Sequence, residues 1–301
     1  MILLLQLRRD KMDLIRKKDR KSEKRGAKIA IVGKSGVGKT TLLFSLPAKE
    51  TIFIDLEAGD LAVDEWDGIA LQPQTWNDCQ TLAALIGGAD PAALENSSYS
   101  VKHFEEKKKA HPELYEQLQK MKYVFVDSLT HTGRLSFQKA SSTDNGRRDA
   151  RKAYGDHGQQ MIKFLLQLQR ARRMHIIFLS ILNQRIDDNG LKSFNIQIEG
   201  SKTGEELPGI VDELITMTIM DEFTPNPYRA FICKTLNEYG YPAKDRAGKL
   251  DVLEKPDLGA LIKKLGKPRS MNLMKSLNFE LPPPQEISDQ LLLSPEKEQT
   301  T

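Results

Sequence analysis

The segment Gly33-Lys34-Ser35-Gly36-Val37-Gly38-Lys39-Thr40 combines glycines, a lysine and a hydroxyl in an order that can grip phosphate. Glycine lets backbone N–H groups turn inward around anionic oxygens, and the start of a following helix favours negative charge there. In such a loop Lys39 reaches the β- and γ-phosphates as a point charge, the Thr40 hydroxyl ligates Mg²⁺, and Thr41 extends the cradle. The flanks suit this role. Ile29-Ala30-Ile31-Val32 reads as a buried strand, and Thr41 to Leu46 as an amphipathic helix that stops at Pro47. The expected cofactors are ATP and Mg²⁺.

A metal held by Thr40 needs a carboxylate on a neighbouring strand. Tyr123-Val124-Phe125-Val126-Asp127 ends an apolar run in Asp127, which would stand at a strand's C-terminal edge where the metal and its waters sit. An ordinary strand-end aspartate looks the same. The next residue is Ser128, so this strand lacks the adjacent Asp-Glu pair that many ATPases use to polarise water. The run Thr51-Ile52-Phe53-Ile54-Asp55-Leu56-Glu57 brings Glu57 to the same sheet edge, as the candidate that orients and activates water.

Phe53-Ile54-Asp55-Leu56-Glu57, Val126-Asp127-Ser128 and Leu182-Asn183-Gln184 together resemble the matching segments of RecA/RadA-like recombination ATPases, in the same order. The resemblance implies that Glu57 is the catalytic carboxylate. It also implies that Gln184 is a sensor of the γ-phosphate, for which an amide that both donates and accepts is suited. Lys244-Asp245-Arg246-Ala247-Gly248 resembles a further motif of that family, from which Asp245 and Ala247 depart. It implies that Lys244 and Arg246 neutralise phosphate charge across a subunit interface; a surface loop with two solvated cations is the alternative. Over residues 28–265 the chain is similar to the phage-encoded single-strand annealing ATPases, compact RecA-like cores.

The elements needed to position these groups follow from the pattern along the chain. Short β-rich runs at Lys28 to Val32, Thr51 to Asp55, Tyr123 to Asp127 and His175 to Leu182 alternate with helical stretches, which implies right-handed crossovers and a parallel sheet. Glu213 to Met220 and Arg229 to Thr235, joined by a proline-containing turn, read as an antiparallel pair at the edge. Residues 75 to 120 read as mostly helical, and Asp257 to Leu265 as a closing helix. The expected fold class is α/β: a RecA-like P-loop NTPase core with a mainly parallel, twisted sheet flanked by helices and antiparallel edge strands. The expected domains are a basic arm over 1–27, the ATPase domain over 28–265, and a disordered tail over 266–301, rich in acids and containing Pro282-Pro283-Pro284.

The formal net charge of +4 is uneven, because residues 1 to 28 hold eleven Lys/Arg against four Asp/Glu. Attraction to polyanions must therefore be local. Residues 134 to 152 carry six Lys/Arg against two acids, including Arg147, Arg148, Arg151 and Lys152. They are either a nucleic-acid contact or the exposed start of a helix. They follow the Asp127 strand, and the resemblance implies that the loop after that strand and the loop after the sensor strand face a central axis. The second loop would span Arg185 to Leu207, with Arg185, Lys192 and Lys202 as cations and Phe194 as a stacking residue.

Cys79 and Cys233 have no paired spacing, and the five histidines no metal-ligand spacing. The opening apolar run is too short to span a bilayer. The resulting expectation is a cytoplasmic protein, in a bacterial host if phage-encoded, with no membrane partner. It would assemble as a homo-oligomer, ring or filament, on single-stranded DNA in recombination or annealing, with a single-strand-binding protein as a possible partner. A helicase or helicase-loader-like motor, and a nucleotide-gated scaffold with little turnover, share the same core.

Overall fold

The computed structural model describes residues 25–186, 190 and 192–267. The basic arm expected over residues 1–27 therefore lies outside the described residues except for its last three, and the tail expected over 266–301 except for its first two. Those three residues of the arm join the core: Gly26 N donates to Arg172 O and Ala27 N to His175 Nδ1.

Strand β1 (Lys28–Gly33) is buried at all six positions because it lies between two parallel neighbours, β5 (His175–Ile186) and β7 (Glu213–Met220). Beyond β5 come β4 (Tyr123–Asp127), β2 (Thr51–Asp55) and the short β3 (Ile69–Leu71), all parallel. Beyond β7 the sheet turns antiparallel through β8 (Tyr228–Ile232) and β10 (Leu253–Glu254), giving the order β10-β8-β7-β1-β5-β4-β2-β3. Two strands lie off this path. β6 (Lys192–Gln197) pairs with β5, and β9 (Lys244–Asp245) with β7.

Strand alternation divides the core between the two faces of the sheet. Ala30, Val32, Ile52, Ile54, Val124 and Val126 point into one cluster. That face is covered by α1 (Trp76–Gly87), α4 (Leu129–Ser141) and α6 (Ala150–Gln169). Ile29, Ile31, Phe53, Phe125, Ile177 and Phe231 point into the other, covered by Leu42, Leu43 and the closing helix α8 (Leu258–Gly266). The remaining helices are α2 (Val101–Ala110) and α3 (Pro112–Lys120) ahead of β4, α5 (Asp144–Arg148) ahead of α6, and α7 (Ser201–Ile210) ahead of β7. Each fully buried large side chain contributes roughly 1.5–3 kcal/mol, so the two clusters hold the sheet rigid beneath its loops.

The architecture is the mixed α/β fold expected, with a mostly parallel sheet and antiparallel edge. Two local expectations are corrected. The segment after the phosphate loop is a 3₁₀ turn, Thr40–Ser45, closed by bonds such as Leu42 N to Lys39 O. With Pro47 next and β2 due at Thr51, there is no length for α-helical bonding to propagate. The fourth main strand continues past Leu182 to Ile186 and pairs antiparallel with β6, so among the described residues the segment from Arg185 to Leu207 holds paired strands and the start of α7 rather than only loop. β3 was not expected at all. It is three residues long and largely exposed, so it has no buried run to signal it. Among the described residues no helix is long and apolar enough to cross a membrane.

Candidate functional site

The parallel strands bring Gly33, the end of β2 and the end of β4 to one sheet edge. At Gly36 and Gly38 φ is 77° and 97°, the left-handed region that a side chain would strain. Val37 between them is buried and pins the loop to the cluster that holds Leu42 and Leu43, while Lys34, Ser35, Gly36 and Thr41 are exposed along its rim. Thr41 Oγ1 donates to Gly38 O at 2.7 Å. Lys39 is buried, and its Nζ donates to Gly33 O at 3.0 Å and Lys34 O at 2.9 Å. Burial pulls its pKa down, against the opposing pull of Asp127 and Glu57.

The Thr40 hydroxyl donates to Asp127 Oδ2 at 2.6 Å, so the two residues expected to share a metal are already in contact. Asp127 is almost wholly buried, and its pKa is pushed up to about 6 by burial. The Thr40 bond opposes that rise and Glu57 adds to it. A desolvated carboxylate beside a hydroxyl oxygen, with further carboxylates close by, is the donor set that hard divalent cations take. The residues present therefore fit Mg²⁺, with Thr40 and Asp127 as the groups that would hold it.

Glu57 is fastened from two directions. Ser128 caps α4 by accepting from His131 N at 3.3 Å, and its hydroxyl donates to Glu57 Oε1. Asp55, level with Asp127 in the register, is buried at 2 % exposure. Its Oδ1 accepts from Glu57 N and Gly59 N, both at 3.1 Å, and its Oδ2 accepts from Gln72 Nε2 at 3.3 Å. Sequence reasoning treated Asp55 only as the end of its strand. The aspartate two residues before Glu57 was the available signal, since Asp side chains accept from backbone two residues on.

The structure thus brings together Lys39, Thr40, Asp127 and Glu57, and it spreads the other candidates. Gln184 lies on β5, between the phosphate-loop strand and the Asp127 strand. Ile181 is level with Gly33, so Gln184, three residues on, is exposed about 10 Å further along the strand. Lys244 and Arg246 lie at the opposite, N-terminal edge of the parallel strands, where Lys244 is level with Leu214 and Leu214 with Ala30. They do not reach the phosphate loop of their own chain. Lys244 Nζ donates to Pro208 O and, at 3.0 Å, to Val211 O. Arg246 pairs with Asp212 at 3.1 Å and donates to Gly209 O at 3.0 Å.

Of the basic candidates, Arg147 and Arg148 end α5, and Arg151 and Lys152 open α6, all four exposed. Lys202 on α7 lies against Gly158 of α6, so it shares a side of the molecule with the first turns of that helix. Arg185, level with Ser193, and Lys192, level with Ile186, are both exposed where β5 and β6 end their pairing. Phe194 is not a free stacking platform. It is half-buried, and its ring lies on Tyr241 with centroids 4.7 Å apart. Arg134, Arg185 and Asn183 line a polar cleft of about 710 Å³ beside this hairpin.

A mostly parallel α/β sheet with a glycine-rich loop, a buried lysine and a hydroxyl–carboxylate pair at one edge defines a P-loop ATPase. The chain belongs to the family described as AAA domain, which matches residues 25–247. No curated protein matches it. Among solved structures it is similar to a KaiC-like protein, PH0186, from the archaeon Pyrococcus horikoshii OT3, at 14% identity over 69% of this chain and 78% of that one, with a TM-score of 0.33. It is also similar to an ATPase from the type III secretion system of pathogenic bacteria, at 16% identity over 64% of this chain and 52% of that one, with a TM-score of 0.36.

Proposed function

We propose that this ATPase couples its nucleotide state to single-stranded DNA, in annealing or recombination, as an assembly of several copies. One observation carries the proposal. Strand β5 runs without interruption from Ile181, beside Gly33 of the phosphate loop, through Gln184 into the hairpin that presents Arg185 and Lys192. A rigid element with one end at the phosphate and the other among exposed cations can transmit a small displacement between the two. The bidentate-capable cation Arg134 shares the cleft beside that hairpin, so phosphate contacts and the moving element lie together.

In the hydrolytic half of the cycle, Lys39 and the loop amides hold the phosphates, and Thr40 and Asp127 would hold Mg²⁺. The cation when bound supplies charge neutralisation to the phosphate oxygens. Glu57, set by Ser128 and Asp55, accepts a proton from the attacking water. The experiment is ATP turnover measured with and without single-stranded DNA across salt concentration. Stimulation should weaken with salt, each neutralised phosphate adding about 0.7 to the logarithmic slope. An Arg185→Ala, Lys192→Ala variant should lose stimulation while keeping the basal rate. Turnover indifferent to DNA at every salt concentration would refute the coupling. Directional strand separation in place of faster pairing would assign the chain to the motor class.

A further inference from the structure

The sheet order places a cation at the phosphate loop that motif reading could not supply. In β8 side chains alternate between faces, and Phe231 is fully buried in the same cluster as Val37, Leu42 and Leu43. Arg229, two residues earlier, is on that face at the exposed rim, directly beside the loop. Its Nε donates to Val37 O at 2.8 Å, and a Cβ built on Gly38 would stand 3.3 Å from that nitrogen. Among the described residues its two terminal nitrogens have no hydrogen-bond or ion-pair partner. A guanidinium anchored at one N–H, with its terminal N–H groups uncommitted beside an anion-binding loop, is prearranged for a phosphate.

Position in the sheet says which part of the nucleotide it meets. Asp127 ends β4 and Glu57 follows β2, both on one side of β1; Arg229 is on β8, on the other side. Gly38 has Arg229 Nε and Thr41 Oγ1 as its near neighbours. Arg229 therefore stands on the side of the loop opposite the hydrolytic carboxylates. We propose that Arg229 is a nucleotide-binding residue acting within its own chain on the α- and β-phosphates of nucleoside di- and triphosphates. This rests on the phosphate-loop reading above.

Contacts with the non-reacting part hold ground state and transition state equally, so their loss appears in binding and not in turnover. Titration of the full-length chain with Mg-ADP and Mg-ATP should show Arg229→Ala and Arg229→Gln weakening both nucleotides by a similar factor, about tenfold or more. Any fall in kcat should be smaller than the fall in affinity. Arg229→Lys should recover part of the affinity. The ADP affinity of the parent should also fall more steeply with salt than that of Arg229→Gln, which bracing of the loop backbone alone would not produce. Unchanged affinity in both neutral variants, or a lower kcat at unchanged affinity, would overturn the proposal. Lys39→Ala separates the two levels. If it loses nucleotide while Arg229→Ala does not, only the role of Arg229 fails. If Lys39→Ala binds like the parent, the phosphate-loop reading fails and takes this inference with it.

Discussion

Replacing Asp55 with Ala tests how the water-activating carboxylate is held in place. Asp55 is buried, and its side chain accepts from the backbone of Glu57 and Gly59 and from the amide of Gln72. Ala58, between the two backbone donors, has a φ of 52°, a strained conformation for a residue with a side chain, and the two bonds on either side of it hold that turn. A hydrogen bond to a charged acceptor contributes about 1.5–3 kcal/mol, and removing it orphans the donors. Glu57 also keeps its bond from Ser128, so only part of this acts on its position. If about 2 kcal/mol is lost from the reactive geometry, kcat falls by roughly thirtyfold. Nucleotide affinity should change little, because Asp55 accepts no bond from the phosphate loop. Asp55→Asn keeps an oxygen for the two backbone donors, and the Gln72 amide can turn to meet the new NH₂, so this variant should retain most of the rate. Steady-state kcat and separately measured ATP affinity decide it. An Asp55→Ala enzyme that turns over at the parent rate, or one in which Asn is as damaging as Ala, would refute the reasoning.

Glu57→Gln should leave ATP binding intact and lower turnover by about 10²–10⁴-fold; a parent rate already negligible and unaffected by the change would favour a nucleotide-gated scaffold. Arg246→Ala mixed with Lys39→Ala should regain ATPase activity if Arg246 of one copy serves the loop of the next, whereas inactive mixtures would leave Arg246 with only its own-chain bonds to Asp212 and Gly209. Burial, helped by the neighbouring Asp245, pushes the Glu213 carboxyl up to about 8 from an ordinary 4.5. Between those values the folded chain binds the proton and the unfolded chain does not, so stability is full below the lower value and falls as pH rises through the higher one. Thermal melts should show the parent losing stability between about pH 5 and pH 8, and Glu213→Gln losing less.

The parts of this protein written in short stretches of sequence were legible directly. The four main parallel strands announced themselves as continuous apolar runs because each is buried on both faces, and the antiparallel edge pair was marked by its turn. The phosphate loop is likewise a local object: its glycines, Lys39 and Thr40 act within one turn of backbone. The exposed three-residue β3 and the half-exposed β6 carry no such signal. Their strand character comes from the neighbours they pair with. Phe194 looked available for stacking until the hairpin laid it on Tyr241, 47 positions later in the chain.

What surrounds the phosphate was settled by the order of strands, which no short stretch encodes. That order set Asp127 against Thr40, stationed Gln184 on the strand between them, and sent Lys244 and Arg246 to the far edge. It also carried Arg229 across 192 positions to the carbonyl of Val37. Residue types state which chemistry is available. Two hydrophobic clusters, closing on opposite faces of one sheet, decide which of those residues can meet.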